Sequence, residues 1–354
     1  FERISERTES TMAEAVRLMT TGAMLPVEKA KEYGLIDEIV QGDLLEGALS
    51  FTKTILKNKT PLRRIRDMMA QLEGDPKAFF AQVREQVAKE SKGYPAPLEI
   101  VACAEAAATL PFDEGRKQER VGFARLMEGT ESKALRHMFF AERQTSKIPD
   151  VPEDTPVRDL KKAAVIGAGT MGGGIAMNFA NAGIPVTLID MNQAAVEKGL
   201  GIIKKNYAAT VSKGRLKQEE MDKRMGLIKP STELPSDADI FVEAVFERMD
   251  VKKDIFKKLD ATAKPGAILA TNTSTLDVDE IAQATRRPQD VIGTHFFSPA
   301  NVMRLLEVVR GEATADDVLA TAMKLGKRLK KVAVVSGVCD GFIGNRMLEK
   351  YSQQ

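Results

Sequence analysis

Three glycines, Gly167, Gly169 and Gly172, stand in G-x-G-x-x-G spacing within the stretch KAAVIGAGTMGGGIAMNFANAG, after a short apolar run and at the head of an apolar segment. That spacing suits a dinucleotide. The first glycine permits a tight turn, the second lets the backbone approach a pyrophosphate at a helix N-terminus, and the third lets the helix pack close to the strand. Thr170 and Met171, between the second and third glycines, belong to the same expected cofactor-binding turn. Asp190 follows 18 residues after Gly172, at the end of PVTLID. A carboxylate there accepts hydrogen bonds from the adenosine ribose hydroxyls and repels a 2′-phosphate. Met191 and Asn192 come next, with no arginine to neutralise such a phosphate, so the expected cofactor is NAD rather than NADP.

A second group of residues could move a proton. His295, one of 2 histidines in the chain, ends the run VIGTH, and Glu307 interrupts the apolar run MRLLEVV. Burying an unpaired carboxylate is costly, so Glu307 needs a partner, and His295 is the obvious one. An imidazole titrates near neutrality, and a carboxylate beside it favours its charged form and fixes which ring nitrogen faces a substrate. Such a pair suits alcohol oxidation, with His295 taking the hydroxyl proton as hydride leaves for a nicotinamide. In ATNTSTL, the side chains of Asn272 and Ser274 are suited to a nicotinamide ribose or a substrate oxygen, or else to capping the helix near Asp277–Ala284. Asn345, in CDGFIGNRM, is a further candidate. His137, in ALRHMFFAER, has no strand end or glycine loop beside it and is expected to be structural.

These residues need a sheet to bring them together. From Lys161 onward, short apolar runs alternate with amphipathic segments: KAAVIG, PVTLID, DIFVEAV, GAILATN, VIGTHFF, LLEVVR and KVAVVSG. Strands apolar on both faces, separated by helices, indicate an α/β fold of Rossmann type, a doubly wound and mostly parallel sheet in which ligands bind at the carboxyl ends of the strands. Thr11 to Ile148 shows helical spacing instead. Helices are expected over TMAEAVRLMTTG, closed by Gly22; over PVEKAKEYG, opened by Pro26; and around Leu44–Leu56, Pro76–Lys89, Glu114–Met127 and Glu131–Thr145. LIDEIV is the one strand candidate in this half. Pro149, Pro152 and Pro156 mark a stiff connection and a domain boundary.

Composition narrows the partners. With 354 residues the chain holds two or more domains at roughly 100 to 200 residues each. Its 52 basic and 50 acidic side chains leave a net charge of +2, which favours neither nucleic acid nor an anionic membrane as partner and points to a small molecule. The cluster KNKTPLRRIR is read as a solvated basic helix face rather than a phosphate site. Cys103 and Cys339 lie in no metal-binding or redox spacing, no metal site is expected, and the thiols suit a reducing compartment. No apolar run reaches the roughly 18 residues of a membrane span, and FERISERTES is not signal-like, so a cytoplasmic protein is expected. The start at Phe1 and the end within an apparent helix suggest a fragment of something longer.

The motifs VIGAGTMGGGIA, VEAVFERMDVKKDIF, ATNTSTL, GTHFFSPANVMRLLEVV and DGFIGNR, in this order, resemble the L-3-hydroxyacyl-CoA dehydrogenases of fatty-acid β-oxidation from Lys161 to the end. The resemblance implies that His295 is the catalytic base and Glu307 its partner, and that Ser274 and Asn345 contact the substrate's 3-oxygen. It implies that Glu247, Lys252 and Asn272 line the NAD site beside Asp190. Ser298 in FFSP is similar to the multifunctional branch, where other members carry asparagine. RLMTTGAMLPVEKAKEYGLIDEIV resembles the end of an enoyl-CoA hydratase (crotonase) domain, and SKALRHMFFAER resembles the segment joining hydratase to dehydrogenase.

The implied organisation is a crotonase remnant over 1–60, a helical connection with its proline-rich linker over 61–160, an NAD-binding domain over 161–344, and the start of a helical domain over 345–354. The implied activity is NAD-dependent oxidation of (S)-3-hydroxyacyl-CoA to 3-ketoacyl-CoA. An acyl-CoA substrate is expected, and a homo-oligomer or a complex with a thiolase is a further implied partner. The alternative is an NAD-binding or scaffolding fragment without turnover, since the acyl-CoA cover is expected near Asn345 and onward. Hydration of enoyl-CoA is not expected, because no carboxylate pair in a glycine-rich setting is present in the helical half.

Overall fold

The computed structural model describes residues 12–353 apart from 62, 63, 69–71, 73 and 149. The stretch FERISERTES, Pro149 and the last residue lie outside them. The chain forms two compact units, Phe1–Phe139 and Phe140–Gln354.

The first unit is helical: α1 (Met12–Thr21), α2 (Val27–Glu32), α3 (Leu44–Lys57), α4 (Pro76–Glu90), α5 (Ala96–Thr109), α6 (Phe112–Glu128) and α7 (Thr130–Gln144), the last running into the second unit. The starts and stops are set by local chemistry. Asp43 caps α3 by accepting from the Glu46 amide, Asp75 caps α4 from the Lys77 and Ala78 amides, and Gly22 ends α1 in a left-handed conformation at φ 60°. Helix α5 packs against α1, α4 and α6 around Val16, Phe80, Val101 and Ala104. Sequence spacing does not single out α5, because APLEIVACAEAAAT is apolar nearly all round and shows no stripe.

Two expectations in this unit are corrected. LIDEIV is not a strand; no strand of the described residues lies in this unit to pair with it, and a lone strand leaves its backbone groups unpartnered. The described residues of the basic cluster form no helix face either; Leu62 and Arg63 lie outside them. Helix α3 ends at Lys57, Lys59 takes φ 51°, Pro61 follows, and Arg66, in a short 3-10 turn at Ile65–Asp67, pairs with Asp113 at 2.8 Å.

The second unit is an eight-stranded sheet. Its elements are β1 (Ala163–Ile166), α8 (Thr170–Asn181), β2 (Val186–Ile189), α9 (Gln193–Ser212), α10 (Gln218–Gly226), β3 (Ile228–Ser231), β4 (Ile240–Glu243), α11 (Met249–Thr262), β5 (Ile268–Thr271), α12 (Val278–Ala282), β6 (Val291–Phe296), β7 (Leu305–Arg310), α13 (Asp316–Arg328), β8 (Val332–Gly337) and α14 (Gly344–Ser352). The strand order is β3-β2-β1-β4-β5-β6-β7-β8, with every pairing parallel except β6 with β7. The chain winds outward from β1 in both directions, which places the crevice of a doubly wound sheet between the carboxyl ends of β1 and β4.

Alternation along β1 divides the core. Ala163 and Val165 face a layer with Ile175 and Phe179, and Ala164 and Ile166 face one with Phe256 and Leu259. The proline-rich connection is fastened to the sheet unit by Arg158, which binds Asp290 at 2.7 Å, Asp317 at 2.8 Å and the Gly266 carbonyl at 3.0 Å. No helix among the described residues is long and apolar enough to cross a membrane.

Candidate active site

At the end of β1 the chain turns through Gly167, at φ 104°, into α8. The turn admits no side chain at its close points. A Cβ on Gly167 would meet the Ala244 carbonyl oxygen, and one on Gly172 would collide with the Gly167 carbonyl. Gly169, the N-cap, faces open space, and no side chain caps the first turn, formed by Thr170 and Met171. The first-turn N–H groups of α8 are therefore free to receive an anion. Asp190 closes the turn from the next strand: its Oδ2 accepts from the Ala168 amide at 2.7 Å and its Oδ1 from the Met191 amide at 2.7 Å. These residues fit a dinucleotide, with the glycine turn for the pyrophosphate and Asp190 for the ribose.

The antiparallel pairing of β6 and β7 sets His295 directly opposite Glu307. Nδ1 of the imidazole lies 2.6 Å from Oε2 of the carboxylate, and the residues are 5% and 0% exposed. The other oxygen, Oε1, accepts from the backbone amides of Gly344 at 2.6 Å and Ile343 at 3.1 Å, at the start of α14. Burial alone would push the Glu307 carboxyl up. The hydrogen bond from His295, the Gly344 amide, the attraction of His295 and the Ile343 amide overcome that and hold it below the ordinary carboxylate value. Phe297 and Phe342 flank the imidazole, with ring centroids 4.5 and 5.8 Å away.

The loops after β4 and β5 are tied together by Glu247. Its Oε1 accepts from the Thr273 hydroxyl at 2.6 Å, the Ser274 amide at 2.6 Å, the Ser274 hydroxyl at 3.0 Å and the Thr275 amide at 3.2 Å. Burial would raise the Glu247 pKa, but these hydrogen bonds and the attraction of Lys252 bring it below the ordinary value. Asn272 uses its Oδ1 to accept from the Phe296 amide at 2.8 Å, joining β5 to the end of the histidine strand, and Asn345 donates to the Ser274 carbonyl at 3.2 Å. Asp277, rather than Asn272 or Ser274, caps α12.

The structure thus brings Ser274, Asn345 and Glu247 into one connected group, and His295 with Glu307 into another. Asp190 belongs with the glycine turn. Lys252, expected to line the NAD site, is 1% exposed, and its Nζ is held by Glu243 at 2.8 and 3.0 Å and by Glu247 at 3.2 Å. Glu243, unassigned from sequence, is the last residue of β4; its visible signal is a carboxylate inside IFVEAV, the same signal that marks Glu307. His137 is exposed on α7. Among the described residues no group of three or more His, Cys, Asp or Glu side chains is arranged to hold a metal ion.

The doubly wound sheet, with its glycine turn and the aspartate that closes it, defines a Rossmann-type dinucleotide-binding protein. Residues 162–339 match the family described as 3-hydroxyacyl-CoA dehydrogenase, NAD binding domain, and the chain belongs to that family, with NAD as its cofactor. It is 38% identical over 346 residues to the peroxisomal bifunctional enzyme of Cavia porcellus, covering 96% of this chain and 48% of that protein. The chain spans about half the length of the curated relatives it matches. Among solved structures, FadB2 of M. tuberculosis aligns with a TM-score of 0.54 at 36% identity, covering 55% of this chain and 70% of that one. The 3-hydroxybutyryl-CoA dehydrogenase of Escherichia coli K12 aligns with a TM-score of 0.54 at 36% identity, covering 55% of this chain and 42% of that one.

Proposed function

We propose that this chain carries the NAD-dependent dehydrogenase unit of a multifunctional β-oxidation enzyme, oxidising (S)-3-hydroxyacyl-CoA to 3-ketoacyl-CoA with His295 as general base. The supporting observation is the buried imidazole–carboxylate pair at the carboxyl edge of a sheet whose glycine turn fits a dinucleotide. Bound NAD supplies the hydride acceptor. With its Nδ1–H donated to Glu307, His295 leaves Nε2 unprotonated to take the proton of the substrate's 3-hydroxyl. The imidazolium that results is stabilised by Glu307, which the Gly344 and Ile343 amides keep ionised. Ser274 and Asn345 are proposed to hold the 3-oxygen, and Glu247, Lys252 and Asn272 to line the NAD site beside Asp190.

The same proposal reads 1–60 as a crotonase remnant, 61–160 as connection, 161–344 as the NAD-binding domain and 345–354 as the start of a helical domain. Acyl-CoA is the proposed substrate, and a homo-oligomer or a complex with a thiolase the proposed assembly. The cytoplasm is the proposed compartment on the two free thiols, whereas the relatives from Cavia porcellus and Cucumis sativus carry a peroxisomal and a glyoxysomal name; fractionation of the native host decides it. The test of function is NADH oxidation with acetoacetyl-CoA, the reverse reaction, by the wild type and by His295→Gln. Turnover lost in the variant with NADH affinity retained is the expected result. NADH binding with no turnover in either chain favours the scaffold reading.

A further inference from the structure

Lys331, the residue before β8, is half-buried and has no carboxylate partner among the described residues, and burial holds its pKa below the ordinary lysine value. A charge kept out of water needs compensation. Its Nζ donates to the carbonyls of Ala300 at 2.6 Å and Met303 at 2.8 Å. Both carbonyls belong to the turn that leaves β6, which is closed by the Val302 and Met303 amides on the Pro299 carbonyl at 2.9 and 3.0 Å. The ammonium caps the open carbonyls of that turn, as a cation does at the end of a helix. The Ala300 carbonyl also accepts from Asn178 of α8 at 2.9 Å, and a Cβ on Gly174 would lie 3.0 Å from the Ala300 side chain. One carbonyl therefore joins α8, the turn after β6 and the head of β8.

This turn carries the cover of the imidazole. The ladder between β6 and β7 ends with Phe296 opposite Leu306, so it sets the backbone of His295 but not that of Phe297, the next residue outward. The Phe297 ring lies 4.5 Å from the imidazole and also abuts Gly344, where a Cβ would meet it at 2.7 Å. We infer that Lys331 is a positioning residue for His295: by clamping the turn at Ala300 and Met303 it keeps Phe297 against the imidazole and the imidazole out of water. Lysine suits the task, because its three donors share one nitrogen, two reach the carbonyls and the third is left for solvent. The bearing of the clamp on turnover rests on the reading of His295 as the base; the shielding of the ring does not.

The experiment is carbethoxylation of the full chain by diethyl pyrocarbonate, followed by mass spectrometry of the peptide that holds His295, so that the exposed His137 is counted apart. Acetoacetyl-CoA reduction at saturating NADH and thermal unfolding are measured on the same proteins. Lys331→Met removes both of the lysine's hydrogen bonds to the turn. Asn178→Ala removes only the second donor to the Ala300 carbonyl and serves where Lys331→Met does not fold. Ile184→Val, a buried residue at the amino end of β2, is the control for stability lost elsewhere. The expected result is modification of His295 about tenfold faster in Lys331→Met and about threefold faster in Asn178→Ala, with kcat lower by similar factors and the control within about twofold of wild type in both. A wild-type rate of His295 modification in Lys331→Met and Asn178→Ala, or an equal acceleration in Ile184→Val, overturns the inference. In a wild type that turns over, an unchanged kcat in Lys331→Met overturns it as well. Faster modification in Lys331→Met with no turnover by the wild type supports the clamp and overturns the base reading instead.

Discussion

His295 and Glu307 face each other across the one antiparallel pairing of an otherwise parallel sheet, and the same carboxylate that meets the imidazole with Oε2 receives two amides from the start of α14 on Oε1. One buried side chain therefore holds three segments: β6, β7 and the turn after β8.

Replacing Glu307 by Gln keeps its shape and removes its charge. In the proposed reaction the His295 imidazolium then lacks its counter-charge, so kcat for acetoacetyl-CoA reduction is expected to fall at least about tenfold, the equivalent of about 1.4 kcal/mol, with NADH affinity within about twofold of wild type. Steady-state kinetics with an NADH titration checks this. An unchanged kcat contradicts the pairing role.

Glu307 and Glu247 both have carboxyl groups held below their ordinary pKa in the fold. For a carboxylate depressed on folding, the stabilisation is fully present above the unfolded-state pKa and is lost as pH falls through the folded one. Urea unfolding between pH 7 and pH 3 should show stability falling below the ordinary carboxylate range, with a shallower fall in Glu307→Gln and Glu247→Gln. Equal slopes in all three proteins contradict the two assignments.

Gly172 sits where an added Cβ collides with the Gly167 carbonyl. Gly172→Ala must push α8 away from β1, an overpacking that typically costs about 1–3 kcal/mol. A lower Tm together with weaker NADH binding is expected, because the displaced helix carries the uncapped N-terminus. Calorimetry and titration read the two effects separately, and a wild-type Tm refutes the close approach.

Asp190 is tied by hydrogen bonds to the Ala168 and Met191 amides. Asp190→Ala removes the proposed ribose acceptor and its repulsion toward a 2′-phosphate together, so NADH affinity should drop while NADPH affinity rises or holds. Parallel titrations with the two nucleotides measure the ratio. An unaltered ratio places the discrimination elsewhere.

The sheet was readable where strands are buried on both faces: all seven apolar runs after Lys161 became strands. The eighth, β3, was not, because IKPS is polar, half-exposed and carries Pro230, which an edge strand tolerates. Helix α5 hid for the opposite reason, being too uniformly apolar to show a face. At the site, Glu307 was legible as a carboxylate in an apolar run with a histidine to spare for it. Glu243 carries the same mark, but its partner lies on a helix nine residues away, and the hold of Lys252 on Glu247 depends on how α11 docks against β4. Side-chain identity told which residues needed partners; the tertiary fold chose the partners.

The two amides on Glu307 Oε1 also bear on how this protein can be divided and recombined. Every strand is complete at Gly337, so a cut there respects the sheet, yet it severs Ile343 and Gly344 from the carboxylate they bind. The architectural seam and the chemical seam do not coincide. A chimera joined at the end of β8 would inherit an intact nucleotide fold with a histidine whose paired carboxylate is supported on one side, whereas a junction beyond Asn345 would carry the whole imidazole–carboxylate unit across as a single cassette.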